Sequence, residues 1–235
     1  MDWSSVMKSI PIYSFFSGAG FLDLGFAFSG FNITFTNEIS KDISKVYNSG
    51  MSSCLDKEAS ITCNESIENI SASDIREMVN NKNQNQFWGV IGGPPCPDFS
   101  VGGKNKGHQG ENGKLTETFV NLICNTRPNF FVIENVKGLV KTKKHKEFFD
   151  RMIDLLEANG YAVDFKVLNS LDLGVPQDRE RIFILGVTKT IYKKIFKREF
   201  SGERGWFYWP YYEKYDNAKY KYYWPTTNEF GIDIE

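Results

Sequence analysis

Residues 10–30 read IPIYSFFSGAGFLDLGFAFSG. The first seven are almost wholly apolar and too few for a helix, which suits a strand covered on both faces, as in a parallel sheet. SGAG (17–20) then breaks the run with two glycines. LDLGFAFSG (22–30) follows as a helix with a glycine stop. A strand, a glycine turn and a helix make the opening of a βαβ unit, and the rest of the chain repeats that alternation.

NITFTNE (32–38) reads as the second strand, closing on an acid. SKDISKVYNSG (40–50) has a serine start and sets Ile43, Val46 and Tyr47 at helical spacing, predicting an apolar face there. SASDIREMV (71–79) repeats the serine-capped pattern. FWGVIGG (87–93) is a strand that runs into a proline pair, and FFVIENV (130–136) is another. Between them KLTETFVNLI (114–123) places Leu115, Phe119, Leu122 and Ile123 on one helical face. HKEFFDRMIDLLEANG (145–160) is an amphipathic helix with a glycine end. YAVDFKVLNS and RIFILGVT then come as two strands close together. The order predicts the α/β class: a doubly wound, mostly parallel, Rossmann-like sheet with a late antiparallel strand.

Two segments stand apart. VGGKNKGHQGENGK (101–114) carries five glycines and almost nothing apolar, so a mobile loop is expected. GWFYWPYYEKYDNAKYKYYWP (205–225) is dense in Tyr and Trp and matches neither periodicity.

The 235 residues, 41% of them hydrophobic, suffice for one full core. A formal net charge of -1 announces no global nucleic-acid surface, so any such surface must be a local patch. The four cysteines form no Cys-x-x-Cys pair and the two histidines are not spaced as a zinc set, so no metal site is expected. A reduced, cytoplasmic protein is the plain reading. MDWSSVMKSI has no apolar core of a leader, and no run approaches the ~20 residues of a membrane span.

Gly18 and Gly20 would let a ligand approach the backbone beside a helix N-terminus. A plain tight turn explains them equally well until Glu38 is added. That acid ends the second strand about 20 residues on, where it can bind ribose hydroxyls. A dinucleotide or S-adenosylmethionine would fit. The dinucleotide fingerprint wants a third glycine where Asp23 stands, and that acid would repel a pyrophosphate. The turn therefore leans to the methyl donor, which carries no phosphate.

GGPPCPDFS (92–100) stiffens the backbone just before Cys96, which a nucleophilic thiol needs and a buried structural one does not. Cys96, the glycine turn, Glu38 and Glu134 of ENV all fall at the carboxyl edge of the expected sheet, where open α/β sheets bind ligands. Arg179 and Arg181 of QDRERIF share a face if extended. Taken singly, a buried small hydrophobe, a solvated acid and a surface arginine pair are the plainer readings. It is their shared edge that argues for a site.

These stretches resemble the cytosine-C5 DNA methyltransferases. FFSGAGFLDLGF, the NE at 37–38, GGPPCPDFS, ENV, VLNSLDLGVPQDRER and RIFILG stand in the family's order and spacing, over about residues 10 to 188. The resemblance implies the methyltransferase variant of the Rossmann-like fold, S-adenosylmethionine as donor and double-stranded DNA as substrate. It implies Cys96 as the nucleophile on cytosine C6 and Glu134 as the group holding N3 and the exocyclic amine. Arg181, with Arg179, would fix the base and favour the thiolate. Phe16, Gly18, Ala19 and Gly20 would line the donor pocket, with Glu38 on the ribose and Ile39 against the adenine. Pro95 would form the wall between donor and base. The target base would leave the helix, the loop 101–114 would close over it, and Ser100 would touch a phosphate. Lys104, Lys106 and KTKKHK (141–146) would add local basic surface, a solvated loop being nearly as good an account of them.

The chain departs from the family in four places. Phe21 follows Gly20 where a further glycine is usual. Ser66, before Ile67, stands where an acid usually precedes the adenine-facing isoleucine, with Asp74 and Ile75 as the alternative alignment. Pro97 stands where a glutamine is common. Beyond residue 190 no target recognition domain of useful size is expected. The division is thus a catalytic domain over 1–190 and an aromatic-rich extension over 191–235, which offers a face to a second polypeptide carrying the recognition domain, forms a local aromatic core or stacks on bases; a truncated product is a second account of the missing domain and an inactive relic the weakest. Two further functions stay open: a tRNA cytosine-C5 methyltransferase, and a non-catalytic donor-binding subunit that a Cys96→Ser change would leave intact.

Overall fold

The first apolar run is a strand buried on both faces, with Ile12, Tyr13, Ser14 and Phe15 each at most 1% exposed. A computed structural model describes residues 10–55, 61, 63–82, 87–95, 111–141 and 143–210. Cys96, Pro97, Ser100, Lys104, Lys106 and everything past residue 210 lie outside the described residues. The elements are β1 (Pro11–Phe15), α1 (Phe21–Phe28), β2 (Asn32–Asn37), α2 (Lys41–Leu55), α3 (Ala72–Lys82), β3 (Gly89–Gly92) and α4 (Glu111–Thr126). There follow β4 (Phe130–Val136), α5 (Lys143–Ala158), β5 (Tyr161–Asn169), β6 (Glu180–Thr188) and α6 (Lys189–Phe196).

The six strands form one sheet in the order β2-β1-β3-β4-β6-β5. β2, β1, β3 and β4 are parallel, and β6 runs antiparallel to both its neighbours, β4 and β5. The expected late antiparallel strand is therefore present, inserted between two strands made before it.

Strand alternation divides the core in two. Tyr13, Phe15, Val90, Phe131 and Ile133 face a large cluster with Ile75 of α3, Phe119 and Ile123 of α4, and Phe149 and Ile153 of α5. Ile12, Ile91 and Phe130 face the other way, onto Leu22 and Phe26 of α1. Helices thus cover both faces of the sheet, as a doubly wound arrangement requires. The Phe119, Leu122 and Ile123 face of α4 is buried as its spacing predicts.

Two expectations need correction. Residues 111–114 are not loop but the first turn of α4. In α2, Ile43 and Val46 are exposed (41% and 59%), while Ser44, Tyr47 and Met51 are buried. The helix turns that face inward because Ser44 and Asn64 meet there: the Ser44 hydroxyl donates to Ser40 O at 2.9 Å and accepts from Asn64 Nδ2 at 2.8 Å. Polar Ser44 is therefore satisfied in the interior, and the apolar pair is left outside.

The described start of the aromatic segment is a local core, one of the readings its composition left open. Tyr192 of α6 is wholly buried, with ring centroids 4.6 Å from Phe196, 5.3 Å from Phe200 and 5.4 Å from Trp206. The chain then crosses β5, the edge strand. Buried Asp164 fastens it by accepting from Gly205 N (3.0 Å), Phe207 N (2.9 Å) and Trp209 Nε1 (3.3 Å). Residues 191–210 are thereby packed onto the sheet rather than standing off it. Among the described residues no helix is long and apolar enough to cross a membrane.

Candidate active site

β1, β2, β3 and β4 all end at one edge of the sheet, and antiparallel β6 begins there, with Arg181 paired in register with Val136. The glycine turn, Glu38, the Gly93–Pro95 exit of β3, Glu134 and the two arginines are gathered at that edge by topology alone.

The turn after β1 is unusual backbone. Phe16, Gly18 and Gly20 have φ of 53°, 56° and 92°, the left-handed region that a bulky residue such as phenylalanine rarely enters. It is held by its surroundings. The Phe16 ring meets Phe119 edge-on at 5.7 Å. Ser17 N donates to Asn37 O at 3.0 Å, and Gly20 N to Ser17 O at 3.0 Å. Gly20 has no room for a side chain, since a β-carbon there would stand 2.9 Å from the Tyr47 ring.

Glu38 lies against this turn. Its Oε2 accepts from Gly18 N at 3.0 Å and its Oε1 from Ser40 N at 2.8 Å. The carboxylate is fixed by backbone donors and keeps lone pairs for a ligand's hydroxyls. Asn37 Nδ2 donates to Cys63 O (3.2 Å) and Glu65 O (2.9 Å), and Asn64 Nδ2 to Glu38 O (2.6 Å). These bonds draw residues 63–66 alongside the end of β2, bringing Ser66 to the same edge. Ser66 caps the short helical turn Ile67–Asn69. Ile67 is 3% exposed within the main core cluster, whereas Ile39 is 63% exposed. Ile75, of the alternative alignment, is fully buried.

On the other side of the edge, Glu134 Oε1 lies 3.0 Å from Arg181 Nε and 3.8 Å from Arg179 Nη2. Glu134 sits opposite Phe183 in the ladder, so Arg181, two residues along, projects from the same face. Arg181 Nη1 also donates to Glu180 O at 2.8 Å, and Glu180 forms an ion pair with Lys137 just past β4. Burial pushes the Glu134 carboxyl above the usual carboxylate range, against the opposing pull of Arg181 and Arg179. Gly93 passes so close that a β-carbon there would stand 3.3 Å from Glu134 Oε2. Pro94 is buried and Pro95 half-buried at the point where the chain leads on to Cys96. Asn135, on the opposite face from Glu134, is 1% exposed, and its Nδ2 has no hydrogen-bond partner among the described residues.

One expectation fails in its detail. Asp23 does not present its charge to a ligand. It is wholly buried, pointing into the fold, and accepts from Ser14 Oγ at 2.6 Å and Tyr47 Oη at 2.9 Å. Sequence reasoning gave Asn64 and Lys137 no place, read Tyr47 only as part of an apolar face and Asp23 only as a charge near the turn, and had Asn37 only within NE.

The fold is that of the methyltransferases that use a Rossmann-like sheet. A structure described as a DNA modification methyltransferase encoded within an E. coli prophage superposes with a TM-score of 0.62 at 26% identity, over 80% of this chain and 50% of that one. The Entamoeba histolytica methyltransferase EhMeth shares the fold with a TM-score of 0.57 at 21% identity, over 76% of this chain and 52% of that one. The profile of the C-5 cytosine-specific DNA methylases matches residues 10–223, and the chain belongs to that family.

Among its relatives, type II methyltransferase M.NmeDI of Neisseria meningitidis serogroup C is 43% identical over 95% of this chain and 52% of its own length. Type II methyltransferase M.MthTI of Methanothermobacter thermautotrophicus is 40% identical over 76% and 49%. Type II methyltransferase M.AquIA of Picosynechococcus is 34% identical over 74% and 71%. The chain thus spans about half the length of the first two relatives, and more of the third.

Proposed function

We propose that this chain is the catalytic part of a DNA cytosine-C5 methyltransferase of a type II restriction-modification system, acting in the cytoplasm on double-stranded DNA. The observation that carries the reading is Glu134, held between Arg181 and Arg179, beside the β3 exit that runs into Pro-Pro-Cys. Glu134, whose proton affinity burial raises, lies against Gly93, three residues before the thiol that prolines frame in the sequence.

S-adenosylmethionine, when bound, supplies an electrophilic methyl group. The residues present fit such a donor. Glu38 is pre-fixed to take ribose hydroxyls, and the left-handed turn 16–20 brings backbone close. The donor pocket is assigned to Phe16, Gly18, Ala19, Gly20, Glu38, Ile39, Ser66, Ile67 and Pro95. The rest is chemistry of the chain and the base. With the target cytosine turned out of the duplex, the Cys96 thiolate adds to C6. Glu134 shares its proton with N3 and accepts from the exocyclic amine, so the ring takes the electron pair without building a full negative charge. Arg181 and Arg179 hold Glu134 in place and favour the thiolate. C5, now enamine-like, would form the new C–CH3 bond as the bond from that methyl to the donor's sulfonium sulfur breaks, its electron pair leaving with the sulfur as the neutral thioether S-adenosylhomocysteine. Loss of the C5 proton to a base and departure of the thiolate from C6 restore the aromatic ring.

A second polypeptide carrying a target recognition domain is part of this proposal. The test is transfer of labelled methyl from S-adenosylmethionine to mixed genomic DNA, with Cys96→Ser and Glu134→Gln as controls. Label in cytosine C5 that both variants lose supports the reading, and shows whether the chain alone suffices. Donor binding without transfer directs the assay to an added partner chain and to tRNA. A chain that binds no donor refutes it.

A further inference from the structure

Asp23 occupies the helix position at which a dinucleotide-binding turn carries glycine, yet it touches nothing on the ligand side. It is wholly buried in the first turn of α1. A buried carboxylate is costly, and a small apolar residue would pack there without that cost. Burial pushes its carboxyl up to about 6, even though hydrogen bonds from Ser14 and Tyr47 pull the other way.

What the carboxylate joins is informative. Oδ1 takes the Ser14 hydroxyl of β1, and Oδ2 takes the Tyr47 hydroxyl of α2. Ser14 Oγ in turn lies 3.2 Å from Ser17 Oγ, the first residue of the SGAG turn. Ser17 is tied by N and Oγ to Asn37 O, at 3.0 and 3.3 Å. The next residue along is Glu38, whose Oε2 holds Gly18 N. The Tyr47 ring, fixed through its hydroxyl, fills the space where Gly20 would carry a β-carbon. The polar chain that starts at Asp23 thus runs beneath the turn at both its ends, Ser17 and Gly20. Left-handed backbone at Phe16, Gly18 and Gly20 persists only where surroundings over-determine it.

We propose that Asp23 is a positioning residue for donor binding: by gripping Ser14 and Tyr47 together, its carboxylate holds the Ser17–Gly20 turn in the shape that receives the methyl donor. This rests on the donor-binding reading above and goes beyond it, since Asp23 makes no donor contact. Neutralising the carboxylate to an amide turns one of its two acceptors into a donor, so one hydroxyl must reverse or let go.

The experiment is calorimetric titration of the full chain with S-adenosylmethionine and with S-adenosylhomocysteine, for wild type, Asp23→Asn, Tyr47→Phe and Ser14→Ala. Thermal unfolding of each is followed in parallel. Asp23→Asn is expected to weaken donor binding by about tenfold or more, as for loss of a charge-assisted hydrogen bond. Tyr47→Phe and Ser14→Ala should weaken it less. The losses from Asp23→Asn and Tyr47→Phe should fall short of additive in the double variant, because both act on one polar network. In turnover, KM for the donor rises while kcat at saturating donor holds.

Donor affinity unchanged in a folded Asp23→Asn chain overturns the inference, even if its unfolding midpoint falls, because Asp23 then serves packing alone. If Asp23→Asn does not fold, Ser14→Ala decides: it removes one hydroxyl, and unchanged affinity there is equally fatal. A wild-type chain that binds no donor overturns this inference and the proposed function together. A wild-type chain that binds, with variants that match it, overturns this inference alone.

Discussion

Glu134 and Asp23 are two carboxyls with raised proton affinity, and they stand in different surroundings. Glu134 is partly open and faces two guanidinium groups, so its environment suits exchange of a proton with a base. Glu134→Gln keeps shape and loses the proton; methyl transfer should fall by about a hundredfold or more, with donor affinity unchanged, measured by single-turnover transfer and by calorimetry. Asp23 is sealed in the interior, and its contribution appears in stability. Its folded pKa, about 6, lies above the ordinary unfolded value near 3.9. Between those values the folded chain binds the extra proton, so stability is highest at low pH in this window and declines as pH rises through about 6. The decline attributable to Asp23 is about 2–3 kcal/mol. Denaturant unfolding from pH 4 to 6.5 should show that slope, and Asp23→Asn should flatten it. Glu134 contributes with the same sign. At this scale Glu38, Glu134, Arg179 and Arg181 were legible because each is a polar residue at the end or start of an apolar strand. Asp23 was not, because its partner Tyr47 lies 24 residues away and only packing brings them together.

At the scale of elements, spacing identified each strand and nearly every helix but misjudged one face. The apolar residues Ile43 and Val46 lie outward, and the buried row is Ser44, Tyr47 and Met51, because polar satisfaction of Ser44 by Asn64 sets the rotation of α2. A pattern of hydrophobicity cannot register a partner that arrives from another segment. Met51→Ala should cost about 2–4 kcal/mol in denaturant unfolding, whereas Val46→Ala should cost under about 0.5 kcal/mol. Short α6 was absent from the sequence reading. Its stability comes from the Tyr192, Phe196, Phe200 and Trp206 rings rather than from length. The crossing that follows depends on Asp164, and Asp164→Ala would leave Gly205 and Phe207 amides without their acceptor. Hydrogen exchange at those two amides should then rise sharply, with little change in β1, β3 and β4.

For the whole molecule, alternation of strands and helices sufficed to give a doubly wound sheet, and strand ends sufficed to give the edge that Glu38, Glu134 and the two arginines share. The place of β6 in the order, between β4 and β5, was not legible, because nothing in a strand's composition says which neighbours it joins. If a second polypeptide completes the enzyme, co-expression with the carboxyl-terminal half of M.NmeDI should raise methyl transfer at least about tenfold over this chain alone. An increase no greater than with an unrelated protein would count against a two-chain enzyme.

The reversed sixth strand also governs how the chain leaves the ribosome. β4 and β5 are made before residues 180–188 exist, and neither pairs with the other in the finished sheet. Until β6 emerges, β4 has a bare backbone edge and β5 has no strand to pair with. The last strand thus enters the middle of the sheet rather than its rim. Translation halted before residue 180 leaves β4 open and β5 without any ladder, the condition under which nascent chains bind one another or a chaperone.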